Sequence, residues 1–213
     1  MEIKGKADNF KNLRENTIAY VAAELFLNNG IEAVKMTDVA DASQTGVATV
    51  YRYFGTKEAL VVKAGILLWQ DLRRLVENDY SSTEFKCRNG YDQLYALYHS
   101  FLKVIKDHTN FIRFIGDFDA YVIRKSIPKE MLAGYETSIH DFYPVFYESF
   151  KRGVEDGSVR DDIDPLVFYN TANHAMMALS QKILRGEIIS DDKPGDILEI
   201  EVLEEIIIQY IKK

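Results

Sequence analysis

The sequence predicts an all-α protein, and three observations support that fold class. Of the 213 residues, 47% are apolar and 28% are charged, which supplies a buried core and excludes a disordered chain. Only 4 prolines and 12 glycines interrupt the chain. The long stretches between them repeat apolar residues at helical spacing, so we expect about nine helices rather than many short strands.

Charge is distributed unevenly along the chain. The net charge is −7 at pH 7, yet residues 1–65 hold 8 Lys/Arg and 8 Asp/Glu, so the whole deficit lies in residues 66–213. DNA repels an acidic body, so any DNA contact is expected in the neutral N-terminal part.

No apolar run approaches the roughly 18 residues of a membrane span, and the polar start lacks a signal segment. These features predict a cytoplasmic protein.

The N-terminal residues 1–56 predict a small helical domain. An apolar stripe that begins at Ile18 indicates a first helix ending near Asn29. A second helix is expected to begin at Thr37, whose hydroxyl would cap it, and to end at Ser43.

A short connection over residues 44–46 leads to a third helix over Val47–Tyr53. Two short helices joined by three residues make a helix-turn-helix. The third helix of such a unit can enter the major groove of DNA and place polar side chains against base edges.

The segment TVYRYFGTKEAL, residues 49–60, resembles the TetR family of transcriptional regulators. The recognition helix of that family ends in Tyr-x-Tyr-Phe, followed by a short cap and a Lys-Glu pair. The resemblance implies a helix-turn-helix domain over residues 1–56 and a larger helical domain for ligand binding and dimerisation over residues 57–213. The match extends back through Phe26, Gly30, Thr37, Val39 and Ala40.

The resemblance also implies which residues contact DNA. Thr37, Tyr51 and Lys57 would meet phosphates. Val47, Thr49 and Arg52 would face the major groove, where arginine can read guanine bidentately. For Tyr53, packing inside the small domain is an equal alternative. The expected DNA-contact residues are Thr37, Thr45, Gly46, Val47, Thr49, Tyr51, Arg52, Tyr53 and Lys57.

Two positions in the turn depart from the family pattern. Gln44 stands where relatives usually have a glycine, and Gly46 stands where they often have a serine cap. Glycine still serves as a cap, but a phosphate-binding hydroxyl is lost. Either Thr45 supplies that hydroxyl or the contact is missing.

The remainder of the chain predicts six further helices. Thr56 caps a helix from Lys57 to about Asp79, with Leu75 among its inward residues, and a loop follows over residues 81–90. Pro144 is expected to kink or break the helix that contains it. The later helices are expected over residues 91–107, 111–126, 128–157, 165–186 and 196–211.

Aromatic residues are concentrated in the middle of the chain, since 14 of the 26 lie between Tyr91 and Phe150. Core packing accounts for most of them, and a cavity for a small apolar or aromatic ligand is the alternative for a few. The candidate ligand-lining residues are Trp69, Tyr95, Tyr98, Phe114, Phe118, Phe142, Phe146 and Met176.

The last helix is too apolar for one buried face on a monomer. Together with the small apolar residues of the preceding helix, it predicts a four-helix bundle between two copies of the chain, and the family resemblance implies the same interface. A two-fold homodimer would bind a palindromic double-stranded operator.

The sequence shows no signature of an enzyme. Its 4 histidines lack the spacing of metal ligands, and it has no Gly-rich phosphate loop or Gly-x-Ser-x-Gly motif. We therefore expect no catalytic residue, metal or cofactor. The expected function is a repressor that releases its operator when a small-molecule effector binds. A ligand-independent regulator, an activator, or a helical binding module with a purely structural helix-turn-helix stay open as alternatives.

Overall fold

The computed structural model describes residues 2–185 and 197–213, and within these ranges the chain forms eleven α-helices. The predicted all-α fold class is confirmed. None of the helices in these ranges is long and apolar enough to cross a bilayer. The helices are α1 (Glu2–Asn29), α2 (Met36–Ala42), α3 (Val47–Phe54), α4 (Lys57–Ser81), α5 (Thr83–Cys87), α6 (Gly90–Asp107), α7 (Thr109–Lys125), α8 (Lys129–His140), α9 (Tyr143–Asp156), α10 (Pro165–Arg185) and α11 (Leu198–Ile211).

The chain packs as two compact units. The first unit comprises Met1–Asp71 and Phe114–Ile139, so it holds the three N-terminal helices, most of α4 and α7, and α8. The second unit comprises Leu72–Arg113 and His140–Lys213. This is a division by packing, and the predicted functional boundary after residue 56 stays a prediction.

The core of the first unit confirms the apolar stripe of the first helix. Ile18, Ala22 and Phe26 lie one turn apart on α1 and are each at most 2% exposed. The helix itself begins at Glu2, well before this stripe. The first helix is therefore longer than its apolar pattern alone predicts.

Helix α4 begins as predicted and ends two residues late. The hydroxyl of Thr56 accepts a hydrogen bond from the backbone N–H of Ala59 at 3.2 Å, which confirms the predicted cap. Leu75 was expected to face inward but is 53% exposed. The inward stripe continues from Leu72 to the half-buried Val76, four residues on, and this turns Leu75 toward solvent.

A short helix occupies the predicted loop of residues 81–90. The side chain of Ser82 caps α5 by accepting the N–H of Phe85 at 3.1 Å. Phe85 is buried, and this burial holds the short helix in place, because five residues are too few for a stable isolated helix. Cys87, the only cysteine of the chain, lies exposed at its end.

The predicted break at Pro144 is confirmed. Helix α8 ends at His140 and α9 begins at Tyr143, so Pro144 lies in the first turn of α9. Proline is tolerated there because the first N–H groups of a helix have no intrahelical acceptor. The break and the added α5 account for the difference from the nine expected helices.

In the second unit, α6 and α9 approach so closely that only glycine fits at the crossing. A Cβ atom built on Gly90 would lie 2.0 Å from the backbone nitrogen of Gly153, a distance that no side chain can adopt. The carboxylate of Asp156 accepts the N–H of Gly90 at 2.8 Å at the same place. The two backbones are therefore in direct contact.

Helices α10 and α11 form the C-terminal part of the second unit. One carboxylate oxygen of Asp164 accepts the N–H groups of Leu166 and Val167, both at 2.9 Å, and thereby caps α10. Helix α11 packs on α6 and on α10. The predicted end of α10 at Gly186, the loop through Pro194 and the start of the last helix at residue 196 lie outside the described residues.

Candidate nucleic-acid interface

Helix α3 lies at the surface of the first unit. One of its faces is buried against the unit, and the opposite face is exposed. Val50 is fully buried, and Val39 and Ala40 of α2, the helix that packs against α3, are each at most 1% exposed. Both helices are shorter than the length at which an isolated helix is stable in water, so burial of these side chains fixes them. The consequence is that α2 and α3 form a helix pair with one buried apolar face and one exposed face, which we call the free face.

The free face of α3 carries the side chains that the sequence assigns to DNA. Arg52 is exposed and Tyr51 is 49% exposed, whereas Val47, Thr49 and Tyr53 are half-buried. The guanidinium of Arg52 lies 5.8 Å from the ring centroid of Tyr53, close enough for a cation–π contact. Tyr53 therefore packs within the unit and also supports Arg52.

Helix α2 begins at Met36, and Thr37 does not cap it. The side chain of Asp38 reaches back, and its Oδ2 accepts the backbone N–H of Lys35 at 2.8 Å. A carboxylate suits this position because it satisfies a free N–H and interacts favourably with the helix dipole. Thr37 is exposed, and its hydroxyl donates to the carboxylate of Asp38 at 3.5 Å instead of capping the helix.

In the turn between α2 and α3, residue 44 adopts a backbone conformation that favours glycine, although the residue is a glutamine. Gln44 adopts a φ of 52°, in the left-handed region that L side chains disfavour. Gly46, by contrast, has an ordinary φ of −70°. The hydroxyl of Thr45 is half-buried and forms a hydrogen bond with that of Ser43, so the hydroxyl proposed to replace the missing serine already has a partner.

Lys57 opens α4 directly after α3. Gly55 ends α3 with a φ of 72°, a value that favours glycine, and the chain turns into α4 within two residues. The ammonium of Lys57 donates to the backbone carbonyl of Glu32 at 3.2 Å and lies 5.9 Å from the ring centroid of Tyr121. Partial burial lowers the pKa of Lys57 because it disfavours the charged form.

Two further contacts surround Lys57, and sequence reasoning missed both. Arg124 pairs with the carboxylate of Glu32 at 2.7 Å, and the hydroxyl of Tyr121 donates to Glu58 at 3.3 Å. A hydrogen bond from its own backbone N–H lowers the pKa of Glu58, and those from Thr56 and Tyr121 add to that effect. The partners are 92 and 63 residues apart, so no local sequence pattern points to them.

The predicted ligand-lining residues fall into both units. Trp69, Phe114 and Phe118 are buried in the first unit. The ring of Phe118 stacks on Tyr135 with centroids 4.1 Å apart, and Trp69 meets Tyr135 edge-on at 6.5 Å. Phe114 packs beside Phe118 at 5.9 Å. These three residues form part of one packed aromatic cluster.

The second unit holds the other five. Tyr98 packs edge-on against Phe146 and Phe168, with centroids 6.4 and 6.2 Å away. Its buried hydroxyl has no hydrogen-bond partner among the residues that the structure describes. Burial in this cluster raises the pKa of Tyr98, so the side chain is a neutral hydrogen-bond donor. The remaining residues are the buried Met176, the half-buried Phe142 and the exposed Tyr95.

Tyr95, three residues before Tyr98 on α6, lines a surface cleft of the second unit. The cleft has a volume of about 510 Å³, and Tyr80, Phe85 and His99 are among its other lining residues. The ring of Tyr95 stacks on that of His99 with centroids 5.7 Å apart. The ligand-lining role of all eight predicted residues stays a prediction.

Residues 18–64 match the model of a family described as bacterial regulatory proteins, tetR family. The chain is also 25% identical over 161 residues to the HTH-type transcriptional repressor KstR2 of Rhodococcus jostii (strain RHA1), covering 72% of each chain. Residues 18–64 therefore carry the N-terminal domain of the TetR family. All nine predicted DNA-contact residues lie within this matched range.

Solved structures of transcriptional regulators share the fold over most of the chain. The structure of the ketosteroid transcriptional regulator KstR2 of Mycobacterium tuberculosis matches with a TM-score of 0.59 and 19% identity, covering 94% of this chain and 95% of that one. The fatty acid degradation regulator FadR of Bacillus halodurans matches with a TM-score of 0.64 and 13% identity, covering 92% and 94%. The TetR-family fold therefore extends beyond the helix-turn-helix to nearly the full chain.

Replacing Gln44 with glycine is expected to stabilise the protein. Glycine adopts the positive φ without steric cost, and relief of that strain is worth about 1 kcal/mol after the greater freedom of glycine in the unfolded chain is subtracted. Thermal or urea unfolding measures the change. The matched control is Gln70→Gly inside α4, which has no positive φ and should lose about 1 kcal/mol of stability. Equal losses for both variants would contradict the strained turn.

Proposed function

We propose that this TetR-family protein is a homodimeric repressor that binds a palindromic operator and releases it when a small apolar effector binds. The observation that carries the proposal is the free face of α3, where Arg52 and Tyr51 are exposed while Val50 anchors the helix. Arg52 offers a bidentate donor for guanine, and Tyr51 and Thr37 offer hydroxyls for phosphates. The neutral charge balance of residues 1–65 agrees with DNA contact at this end.

The surface of α11 supports assembly with a second copy of the chain. Four residues at four-residue intervals form an exposed apolar stripe, and each is 55 to 60% exposed. The opposite face of the same helix, with Ile200, Ile207 and Ile211, is buried in the second unit. A helix that is apolar on two faces needs two partners. The stripe residues are Leu198, Val202, Ile206 and Tyr210.

The buried hydroxyl of Tyr98 supports an effector of a particular kind. An apolar molecule that carries one carbonyl oxygen would pack among the aromatic rings and accept the hydrogen bond that this hydroxyl lacks among the described residues. The names of two similar structures, a ketosteroid transcriptional regulator and a fatty acid degradation regulator, concern compounds of this class. We therefore propose an apolar effector with a polar oxygen, bound in the second unit beside Phe146 and Phe168.

Selection of bound sequences from a random duplex pool, at stated salt, tests operator recognition without knowledge of the effector. The wild-type protein is expected to enrich a palindrome. The Thr49→Ala, Arg52→Ala variant is expected to bind that palindrome at least about tenfold more weakly, because a bidentate base contact is worth ~1 to 3 kcal/mol. Its fold should persist, since both side chains lie on the free face of α3.

Lys151→Ala is the matched control, because it removes one exposed cation from α9 in the second unit. Its operator affinity should stay close to that of the wild type. If the Thr49→Ala, Arg52→Ala variant and the control bind alike, α3 is not the recognition helix.

Ile206→Asp is expected to weaken the dimer at least about tenfold, because it places a charge in the centre of an apolar interface. Sedimentation equilibrium measures the dissociation constant. Ile123→Asp on α7 is the control, since Ile123 is also an exposed isoleucine, at 78%, but lies outside the stripe. A dimer that tolerates Ile206→Asp as well as Ile123→Asp assembles through another surface.

Tyr98→Phe tests the proposed effector site, because it is expected to increase stability and to weaken effector binding. Removal of a buried hydroxyl that lacks a partner is expected to raise the free energy of unfolding by about 1 kcal/mol. The same change should weaken binding of progesterone, a rigid apolar ketone used as the probe, by about tenfold in calorimetry, because the hydrogen bond to its carbonyl is lost. The half-buried Tyr91 on the same helix supplies the control, Tyr91→Phe. Equal progesterone affinity in the wild type and Tyr98→Phe would exclude this site.

A further inference from the structure

We propose that Tyr121 and Arg124 of α7 are positioning residues for DNA binding, which hold Lys57 in place to meet a phosphate. This inference rests on the proposed operator binding. It assigns a role in DNA contact to a helix outside the helix-turn-helix.

The ammonium of Lys57 is held on two sides. The backbone carbonyl of Glu32 accepts one of its hydrogen bonds at 3.2 Å, and the ring of Tyr121 lies beneath it with the centroid 5.9 Å away. One N–H is used in this way, and two remain for an incoming anion. A lysine side chain has four flexible bonds, so fixing it before binding reduces the entropy lost when it meets a phosphate.

Each of these two supports is itself held by a contact that involves α7. Arg124 binds the Glu32 carboxylate through Nε at 3.0 Å and Nη2 at 2.7 Å, which fixes the α1–α2 connection that carries the accepting carbonyl. The hydroxyl of Tyr121 donates to Glu58 at 3.3 Å, which fixes the ring against the first turn of α4. Tyr121 is 1% exposed, so the ring cannot turn away without local unfolding.

Charges of both signs surround Lys57, because the carboxylates of Glu32, Glu58 and Asp38 act on it together with the ammonium of Lys125. The ammonium of Lys125 lies 5.8 Å from the same Tyr121 ring, so two cations share one aromatic side chain. The charge of Lys125 disfavours the charged form of Lys57, and a phosphate near both would offset this repulsion. The free N–H groups at the start of α4 add to the attraction.

A double-mutant cycle tests whether Tyr121 acts through Lys57. Lys57→Ala is expected to weaken operator binding about tenfold and to reduce the salt slope by about one, as loss of one phosphate contact requires. Tyr121→Leu should weaken binding about threefold when Lys57 is present and leave it unchanged in the Lys57→Ala background. A merely structural role for Tyr121 would weaken binding equally in both backgrounds and overturn the proposal.

Tyr135→Leu is the matched control for Tyr121→Leu. It also removes a buried tyrosine of the first unit, 6% exposed, but one that does not contact Lys57. It is expected to lower stability without changing operator affinity or the salt slope. An equal loss of affinity in Tyr135→Leu would attribute the effect to general destabilisation and overturn the proposal.

Glu32→Gln gives an independent test that does not depend on a buried side chain, since Glu32 and Arg124 are both 54% exposed. General electrostatics predicts that loss of a negative charge near DNA tightens binding. The positioning role predicts the opposite, a roughly two- to threefold weaker operator affinity, because the carboxylate no longer holds Arg124. Glu24→Gln on α1, also exposed, should leave binding unchanged or slightly tighter.

The outcomes separate this inference from the proposed function. If the wild-type protein binds its selected operator and Glu32→Gln binds it as tightly as Glu24→Gln does, only the positioning role fails. If the wild-type protein selects no operator sequence, the proposed function fails and the inference falls with it. A weaker Glu32→Gln protein with an unchanged melting temperature supports both.

Discussion

Burial of a few small apolar side chains in the first unit is the interaction on which the free face of α3 depends. Helices α2 and α3 have 7 and 8 residues, too few to be stable alone, so their backbone hydrogen bonds persist only while Val39, Ala40 and Val50 stay packed. The direction of Arg52 follows from that packing, and the ring of Tyr53 supports the guanidinium. A change in the core would therefore alter the free face of α3 without replacing any residue on that face.

The elements that the sequence predicts well are those with a local physical cause. Thr56, Asp164 and Pro144 act within one turn of the helix ends they define, so their spacing in the sequence is sufficient. The all-α class and the helix-turn-helix follow for the same reason. Thr37 was misassigned as a cap because Asp38, one residue later, has a side chain long enough to reach the same backbone region.

The features that the sequence does not predict depend on residues far apart in the chain. In the sequence, nothing distinguishes Gly90 and Gly153 from other helix residues. Glycine is required at both positions because the crossing of α6 and α9 brings their backbones together. The aromatic residues that looked like one set belong to two units, because composition does not record which helices pack against each other. The supports of Lys57 on α7 are hidden from sequence reasoning for the same reason.

Helix α5 has a practical consequence for spectroscopy. It carries the chain's single thiol, Cys87, at an exposed position, while Phe85 fixes the helix from its buried side. A maleimide or nitroxide probe would thus attach at one site on an ordered segment without any engineered cysteine. In a two-fold assembly, the two labels would report a single separation, and a change of that separation on adding DNA or a ketone would measure rearrangement between the subunits directly.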